Sequence, residues 1–214
     1  MLFNIHSAKE LAQKLLQIEG VILNTAHPFT WTSGLKAPIY CDNRVILSYP
    51  ELRSYVKDQL KHMVQDLQVP PTAIAGVATA GIPHAAIVAN DLDLPMVYVR
   101  TSAKGHGREN MIEGKLSPGH QVLLIEDLLS TGGSSSTALR ALKETGHSVT
   151  DLAAIFTYNF EETEQTFRNH EVNLHTLTDY HTLIEVAYQQ GYIPKQSIET
   201  LQAWRADPEH WQTA

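Results

Sequence analysis

Two adjacent acidic residues and a glycine-rich turn form the most chemically specific part of the sequence. Glu126 and Asp127 follow an apolar run, and after two leucines comes the segment STGGS (130–134). Its glycines let the backbone approach a ligand closely, and free N–H groups at a helix N-terminus favour an anion. Further hydrogen-bond donors are the hydroxyl groups of Thr131, Ser134 and Ser135. The turn therefore predicts a phosphate site.

The two acids need a different partner, because a phosphate would repel them. Carboxylates accept strong hydrogen bonds from the vicinal hydroxyl groups of a sugar. A ribose 5′-phosphate meets both demands, with its phosphate in the turn and its 2′- and 3′-hydroxyl groups on Glu126 and Asp127. The alternative is an ordinary strand-to-helix turn that carries a solvated acidic pair.

A strand and a helix must position the acids and the turn. Short apolar strands alternate with helices from residue 73 onward, which indicates βαβ units and a mainly parallel sheet covered on both faces. Strands are predicted at 73–78, 95–100, 120–126, 148–156 and 172–177. Helices are predicted at 7–19, 50–67, 81–92, 132–145, 161–169, 181–190 and 195–206. Ser7 and Glu10 form a candidate capping box for the first helix, and residues 27–48 predict short strands and turns.

Length and composition limit the class of protein. The chain has 214 residues, of which 43% are hydrophobic and 18% charged, so a substantial core is possible and disorder is not expected. The formal net charge of −7 argues against non-specific binding to nucleic acid or to an anionic membrane. The single cysteine, Cys41, and the lack of a signal-peptide pattern predict a cytoplasmic protein. We expect one domain, residues 1–214, with residues 1–48 capping the core.

Residues 101–119 separate two predicted strands and have no clear element of their own. Loops of this length in compact domains are usually functional lids or disordered segments. Lys104, His106 and Arg108 alternate in sequence, so in an extended segment they point to one side. We interpret the loop as a mobile cationic lid over a leaving diphosphate, whose charge grows as its bond breaks. The alternative is a solvated basic loop.

A second strand–turn–helix unit of small residues lies at 76–85. Its N–H groups could hold a diphosphate, with Thr79, Ala80 and Gly81 at the turn. It is not a Walker A loop, because Gly81 is followed by Ile82 and Pro83 instead of Lys and Ser or Thr. The alternative is simple close packing of small residues.

The stretch VLLIEDLLSTGGSS (122–135) closely resembles the phosphoribosyl diphosphate (PRPP) signature of type I phosphoribosyltransferases. The resemblance implies an α/β fold of that type, with a central mainly parallel sheet flanked by helices and a small N-terminal hood. It also implies that the turn of Thr79, Ala80 and Gly81 holds diphosphate. The residues implied to bind PRPP are Arg100, Lys104, His106, Glu126, Asp127, Leu128, Leu129, Ser130, Thr131, Gly132, Gly133 and Ser134. Those implied to be catalytic are Lys104, His106 and Asp127.

The loop RTSAKGHG (100–107) resembles the corresponding loop of orotate phosphoribosyltransferases. In that family an Arg, a Lys and a His of the loop reach PRPP, partly across a dimer interface. Arg100, Lys104 and His106 match these positions. Thr101 departs from the pattern, because several members carry a further Lys there.

The segment PFTWTSGLKAPIYCDNR (28–44) resembles the part of the same family that covers the base. The matching residues are Phe29, Thr30, Ser33, Gly34, Pro38 and Tyr40. Orotate is a flat acid that needs an aromatic face and cationic or N–H partners for its carboxylate. The residues implied to bind it are Phe29, Lys36, Tyr40 and Ser130, with Arg44 as a second candidate beside Lys36 for the carboxylate. The alternative is that the aromatic residues belong to the core or to a dimer interface.

One position of the base site departs from the family pattern. Some branches place an Arg just after the strand predicted at 148–156, where this chain has the sequence FTYNFEE (156–162). The carboxylate contact at that place is therefore expected to differ.

The resemblance implies that N1 of orotate attacks C1′ of PRPP with inversion, giving orotidine 5′-monophosphate and diphosphate in de novo pyrimidine (UMP) biosynthesis. It implies Mg²⁺ held mainly by the substrate, with no direct protein ligand, and a homodimer that shares lid residues across its interface. No nucleic-acid or membrane partner is expected. The alternatives are a phosphoribosyltransferase for another base and a PRPP-sensing regulator without catalysis.

Overall fold

The computed structural model describes residues 2–31, 34–102 and 111–212. Four residues singled out in the sequence, Ser33, Lys104, His106 and Arg108, lie outside these ranges. The described strands are β1 (Val21–Leu23), β2 (Phe29–Thr30), β3 (Lys36–Ala37), β4 (Ile39–Cys41), β5 (Ala73–Val77), β6 (Met96–Val99), β7 (Ile112–Glu113), β8 (Gln121–Leu129), β9 (Ser148–Thr157) and β10 (Asn173–Asp179). The described α-helices are α1 (Ile5–Gln17), α2 (Pro50–Gln65), α3 (Gly81–Leu92), α4 (Gly133–Glu144), α5 (Glu161–Asn169), α6 (Tyr180–Gln189) and α7 (Gln196–Ala206).

Within the described residues, six strands form a central sheet in the order β10-β9-β8-β5-β6-β7. All neighbouring pairs are parallel except β6 and β7, which are antiparallel. The sheet therefore confirms the predicted mainly parallel α/β architecture. The prediction that residues 101–119 contain no element of their own is wrong, because β7 lies there and its Ile112 pairs with Val99. A strand of two residues has too little alternation to be recognised in the sequence.

Helices cover both faces of the sheet, as the nearly continuous apolar strands require. One core lies between the sheet and α1, α2, α3, α6 and α7, and a second lies between the sheet and α4 and α5. Leu123 and Ile125 of β8 belong to the first core, whereas Leu124 belongs to the second. This alternation fixes which way each side chain of β8 points, including the acids that follow.

β8 extends to Leu129, three residues beyond the end predicted at Glu126. Leu128 and Leu129 continue the parallel pairing, opposite Phe156 and Thr157 of β9. The two acids thus lie inside the strand near its carboxyl end, whereas the predicted strand ended at Glu126 and left Asp127 outside it. Pairing with β9 extends the strand beyond the acids, because cross-strand contacts stabilise these last residues.

The first helix begins at Ile5 and not at Ser7. Asn4 has extended backbone, and its Oδ1 accepts hydrogen bonds from the N–H groups of His6 (2.9 Å) and Ser7 (3.2 Å). The predicted capping box is therefore wrong, because an upstream Asn already satisfies the free N–H groups. α1 buries Leu11 and Leu15 in the core and contacts α6 and β10.

The segment between α1 and α2 contains short strands and turns, as predicted for residues 27–48, and also β1, which lies before that range and was not predicted. β1 pairs with β4 and β2 pairs with β3, both antiparallel. A 3₁₀-helix, Asn43–Ser48, then leads into α2. This helix contacts β8, so it brings the end of the segment to the strand that carries the acids.

The last helix, α7, packs against the hood and the end of β9. Trp204 of α7 is fully buried, and its ring meets those of Trp31 (5.6 Å between centroids) and Tyr158 (5.7 Å). Its indole N–H donates to the carbonyl of Lys36 over 3.1 Å. No helix in the described ranges combines the length and the apolar character needed to cross a bilayer.

Candidate active site

A cleft of about 690 Å³ lies at the carboxyl ends of β5 and β8. Ligands of open α/β sheets bind at this edge. The residues that line the cleft are Cys41, Asp42, Arg44, Ala78, Thr79, Ala80, Glu126, Asp127, Leu128 and the turn Ser130–Ser135. The structure therefore brings the acidic pair, the glycine turn and the second turn of small residues into one cavity.

The glycine turn is shaped to leave backbone N–H groups free. Gly132 has φ of 74°, which is in the left-handed region, and no side chain caps the start of α4. A Cβ at Gly132 would lie 2.9 Å from Cε2 of Phe167 and 3.1 Å from Cγ2 of Thr163, so only glycine fits between the turn and α5. Thr163 also donates its hydroxyl hydrogen to the carbonyl of Ser130 over 2.6 Å. α5 thus supports the turn, and the N-terminus of α4 can receive an anion.

Glu126 is the more deeply held of the two acids. It is 6% exposed, and its Oε2 accepts a hydrogen bond from Ser135 Oγ over 2.8 Å. Its Oε1 accepts one from the N–H of Asp127 over 3.1 Å. The Ser135 hydroxyl, expected to add a donor for phosphate, instead holds this carboxyl inside the cleft wall.

Burial changes the acidity of this pair. It raises the pKa of Glu126 well above its usual value, and the charge of Asp127 raises it further. Burial also raises the pKa of Asp127, whereas the nearby cation of Arg44 acts in the opposite direction. The thiol of Cys41 beside them has its pKa raised, mainly by burial, so it is not a nucleophile at neutral pH. Burial thus favours the protonated forms of all three groups.

The second turn lies directly against β8. A Cβ on Gly81 would be 2.5 Å from the carbonyl oxygen of Ile125 and 3.2 Å from Cα of Glu126. Glycine therefore allows the start of α3 to touch the strand just before the acids. Thr79 and Ala80 line the cleft beside them, and the peptide bond between Ala78 and Thr79 is cis.

Arg100 stands just after β6 and is not among the residues that line the cleft. Its N–H donates to the carbonyl of Met111 over 2.8 Å, and its Nη1 lies 3.7 Å from Oε1 of Glu113. Arg100 is therefore located at the start of the predicted lid. Lys104 and His106 of that lid lie outside the described residues.

The candidate residues for the base divide between two places. Ser130 lines the cleft, whereas Phe29, Lys36 and Tyr40 do not. The rings of Phe29 and Tyr40 are 5.7 Å apart, and Lys36 Nζ donates to Thr30 Oγ1 over 2.6 Å. Lys36 instead lines a separate groove of about 460 Å³, together with Pro28, Trp211 and Gln212.

The segment Cys41–Arg44 contributes residues that the sequence left unassigned or unranked. Asn43 is fully buried, and its Nδ2 donates to the carbonyl of Asp127 over 2.7 Å. Asp42 accepts hydrogen bonds from the Nε and Nη2 of Arg44. Asn43 and Asp42 were missed, because polar residues in a predicted turn are usually solvated. In the sequence, the signal that could have identified them was the match of neighbouring residues, such as Pro38 and Tyr40, to the family pattern of the hood.

Comparisons with known proteins agree on one family. Residues 45–188 match the family model described as "Phosphoribosyl transferase domain". The chain is 50% identical over 202 residues to an orotate phosphoribosyltransferase of Bacteroides fragilis, covering 94% of this chain and 95% of that one. This identity extends over far more of the chain than the signature motifs.

Two solved structures resemble the fold. One is the orotate phosphoribosyltransferase of Aeropyrum pernix, with a TM-score of 0.74, 28% identity, and coverage of 86% of this chain and 99% of that one. The other is the UMP synthase of Leishmania donovani, with a TM-score of 0.79 and 25% identity. That match covers 93% of this chain and 42% of the synthase.

Proposed function

The chain belongs to the orotate phosphoribosyltransferase family, and from that premise we propose how its own residues carry out the family's reaction. The enzyme transfers the 5-phosphoribosyl group of PRPP to orotate, giving orotidine 5′-monophosphate and diphosphate in pyrimidine biosynthesis. A single observation carries the proposal: Glu126 and Asp127 share one cleft with the uncapped start of α4.

The 5′-phosphate binds in the turn from Ser130 to Ser134. Its oxygens accept hydrogen bonds from the N–H groups at the start of α4 and from the hydroxyl groups of Thr131 and Ser134. Leu128 and Leu129 place this turn at the end of β8. The ribose hydroxyl groups then donate to Glu126 and Asp127, since carboxylates are strong acceptors.

Charge separation governs the reaction step. As the bond between C1′ and the diphosphate breaks, positive charge builds on the ribose ring, as in glycoside chemistry. Asp127 favours that charge, while the turn of Thr79, Ala80 and Gly81 holds the leaving diphosphate. Arg100, Lys104 and His106 stabilise the negative charge that develops on it. For Lys104 and His106 the support is the resemblance of the loop.

Mg²⁺ fits the oxygen-rich donor set of the cleft, which offers carboxylates and hydroxyl groups. Among the described residues no group of three His, Cys, Asp or Glu could hold a metal alone, so the ion would depend on PRPP oxygens and water. When bound with PRPP, it supplies positive charge to the diphosphate. Asp127 is the protein group best placed to stand near it.

The base lies on the side of the cleft formed by the N-terminal segment. We propose that Ser130, Phe29 and Tyr40 form this subsite and that Lys36 stands beside it in the neighbouring groove, with residues 1–48 acting as a hood within a single domain of residues 1–214. Orotate is already acidic, so N1 needs no strong general base in order to attack C1′.

We further propose that the enzyme is a cytoplasmic homodimer whose lid residues act across the interface. Ile22 supports an interface, because this large apolar side chain of β1 remains exposed. Sedimentation of the purified chain, with and without Ile22→Ser, tests this. A monomer for the unmodified chain contradicts the dimer.

The reaction is tested by following orotate absorbance after the protein is mixed with PRPP and Mg²⁺. The expected result is a loss of absorbance that depends on all three components. Turnover with uracil, hypoxanthine or adenine instead of orotate would assign another base. If no base is turned over but PRPP still binds, the protein would be a regulator.

A further inference from the structure

The carboxylate of the acceptor base requires a cation, and the chain offers two near the hood. Lys36 lines the separate groove beside Trp211, and its Nζ is engaged by Thr30. Arg44 lines the same cleft as Asp127 and Ser130. The acceptor must lie next to the ribose that it attacks, so location alone favours Arg44 over Lys36.

Arg44 is held in a fixed orientation by its neighbour Asp42. Oδ1 of Asp42 accepts hydrogen bonds from the backbone N–H of Arg44 (3.1 Å) and from its Nε (2.6 Å), and Oδ2 accepts one from Nη2 (2.8 Å). Asp42 is also the N-cap of the 3₁₀-helix Asn43–Ser48, so its own position is set by the backbone. One edge of the planar guanidinium is thereby occupied in a bidentate manner.

The other edge of the guanidinium remains open. It carries both hydrogens of Nη1 and the second hydrogen of Nη2, which form a fork that matches a carboxylate. Among the residues that the structure describes, Asp42 is the only hydrogen-bond partner recorded for the Arg44 side chain. That side chain is 64% exposed, and Arg44 lines the cleft.

The distance between this cation and the ribose site is also fixed. Asn43, between Asp42 and Arg44 in sequence, is tied through its Nδ2 to the carbonyl of Asp127 over 2.7 Å. Asp42 and Arg44 are therefore attached to the strand that holds the sugar. This coupling gives the acceptor site a defined register relative to C1′, which an Arg on a free loop would not provide.

Some branches of the family carry an Arg just after the strand that corresponds to β9. In this chain the residues at that position have another role. After β9 come Tyr158 and Asn159, and their carbonyl groups accept hydrogen bonds from the guanidinium of Arg205 in α7. Arg205 thus ties α7 to the end of β9. Among the described residues that line the cleft, Arg44 is the arginine.

We infer that Arg44 binds the carboxylate of orotate and makes this chain select a carboxylated pyrimidine, with Asp42 as the positioning residue that orients it. The inference rests on the proposed function and assigns one part of its specificity. Asp42 acts only through Arg44 and does not touch the base. The guanidinium then lies between two carboxylates, which it neutralises in part.

Binding of two nucleotides tests this without any turnover. Orotidine 5′-monophosphate and UMP differ by the carboxylate alone, so the ratio of the dissociation constant of UMP to that of orotidine 5′-monophosphate isolates its contact. Titration calorimetry on the full chain should show that Arg44→Met weakens orotidine 5′-monophosphate by about 10- to 100-fold, the range for truncating a charged hydrogen bond, and leaves UMP unchanged. Arg44→Lys should lie between the two, because it keeps the charge and loses the fork.

Two further variants, a control arginine and the positioning residue Asp42, make the test more specific. Arg168→Met removes an exposed arginine at the far end of α5 and should leave the ratio unchanged. Asp42→Asn should lower the ratio in the unmodified background and have no effect in the Arg44→Met background, because it acts through Arg44. An equal effect of Asp42→Asn in both backgrounds would overturn its positioning role.

Retention of the ratio in Arg44→Met, or equal weakening of both nucleotides, would overturn the inference. A fall of the ratio in Lys36→Met but not in Arg44→Met would transfer the role to Lys36 and overturn it as well. The proposed function is judged separately, by whether the unmodified chain consumes orotate. If the unmodified chain consumes orotate and the ratio does not change in Arg44→Met, this inference is refuted and the proposed function stands.

Discussion

The side-chain amide of Asn43 donates a hydrogen bond of 2.7 Å to the backbone carbonyl of Asp127, across a sequence separation of 84 residues. Asn43 is fully buried, whereas Asp127 is partly exposed in the cleft. It ties the N-terminal segment, which carries Asp42 and Arg44, to the strand that carries the acidic pair. A single side-chain amide therefore fixes the N-terminal segment relative to the acidic pair.

Replacing Asn43 by Ala should destabilise the protein and weaken catalysis together. The carbonyl of Asp127 would lose its partner in a partly buried position, which costs about 1–3 kcal/mol. Urea unfolding should show this loss, and the KM for orotate should rise as the N-terminal segment loses this attachment. Asn90→Ala, at an exposed position of α3, is the matched control and should change neither quantity. Wild-type stability in the Asn43 variant would show that the contact carries no free energy.

Gly81→Ala should be one of the most damaging small substitutions in the chain. Its Cβ would lie 2.5 Å from the Ile125 carbonyl oxygen, a backbone atom that cannot turn aside. The start of α3 must then move away from the acids, and we expect a loss of about 2–4 kcal/mol with weakened PRPP binding. Gly133→Ala has no atom within 4 Å of the added Cβ and should keep its thermal stability. Equal melting temperatures for the two variants would contradict the close approach.

Glu126→Gln should change how stability depends on pH. Burial raises the pKa of Glu126 above its ordinary value of 4.5. Above pH 4.5 the unfolded chain loses this proton while the folded chain retains it, so wild-type stability falls as pH rises through that window to the folded pKa. The amide cannot ionise and can still bond to Ser135 and the Asp127 N–H. Its melting temperature relative to wild type should therefore be higher at pH 8 than at pH 5, and parallel curves would contradict the shift.

Lys104→Ala should lower kcat by about 10²- to 10³-fold, because it removes a cation that acts as the diphosphate departs. Binding of orotate should change little, since the contact strengthens only in the transition state. Lys115→Ala, an exposed lysine after the lid, is the control for a general effect of charge. Near-normal turnover in the Lys104 variant would remove the lid from the mechanism.

Local sequence pattern was sufficient for much of the fold. α3 spans Gly81–Leu92, the residues predicted, because glycine and proline mark its start and an apolar face follows. Its neighbour β8 was predicted too short, since the pairing of Leu128 and Leu129 with β9 depends on a partner strand rather than on local residues. The helix start at Asn4 was missed because Ser7 offered an equally good local signal.

The site was predictable where its residues are adjacent in sequence. Glu126, Asp127 and the glycine turn form one continuous motif, so their common cleft could be anticipated. Contacts between distant segments could not. The bond from Ser135 to Glu126 depends on how α4 folds back over β8, and the burial of Asn43 depends on a strand 84 residues away. The separation of Lys36 from the cleft likewise depends on the docking of α7 and Trp211.

A crystal structure of the enzyme with PRPP and Mg²⁺ tests the central claim most directly. The account predicts the 5′-phosphate within hydrogen-bonding distance of the N–H groups from Thr131 to Ser134, and the ribose hydroxyl groups on Glu126 and Asp127. A phosphate bound elsewhere, with the turn vacant and the two acids away from the sugar, would contradict it.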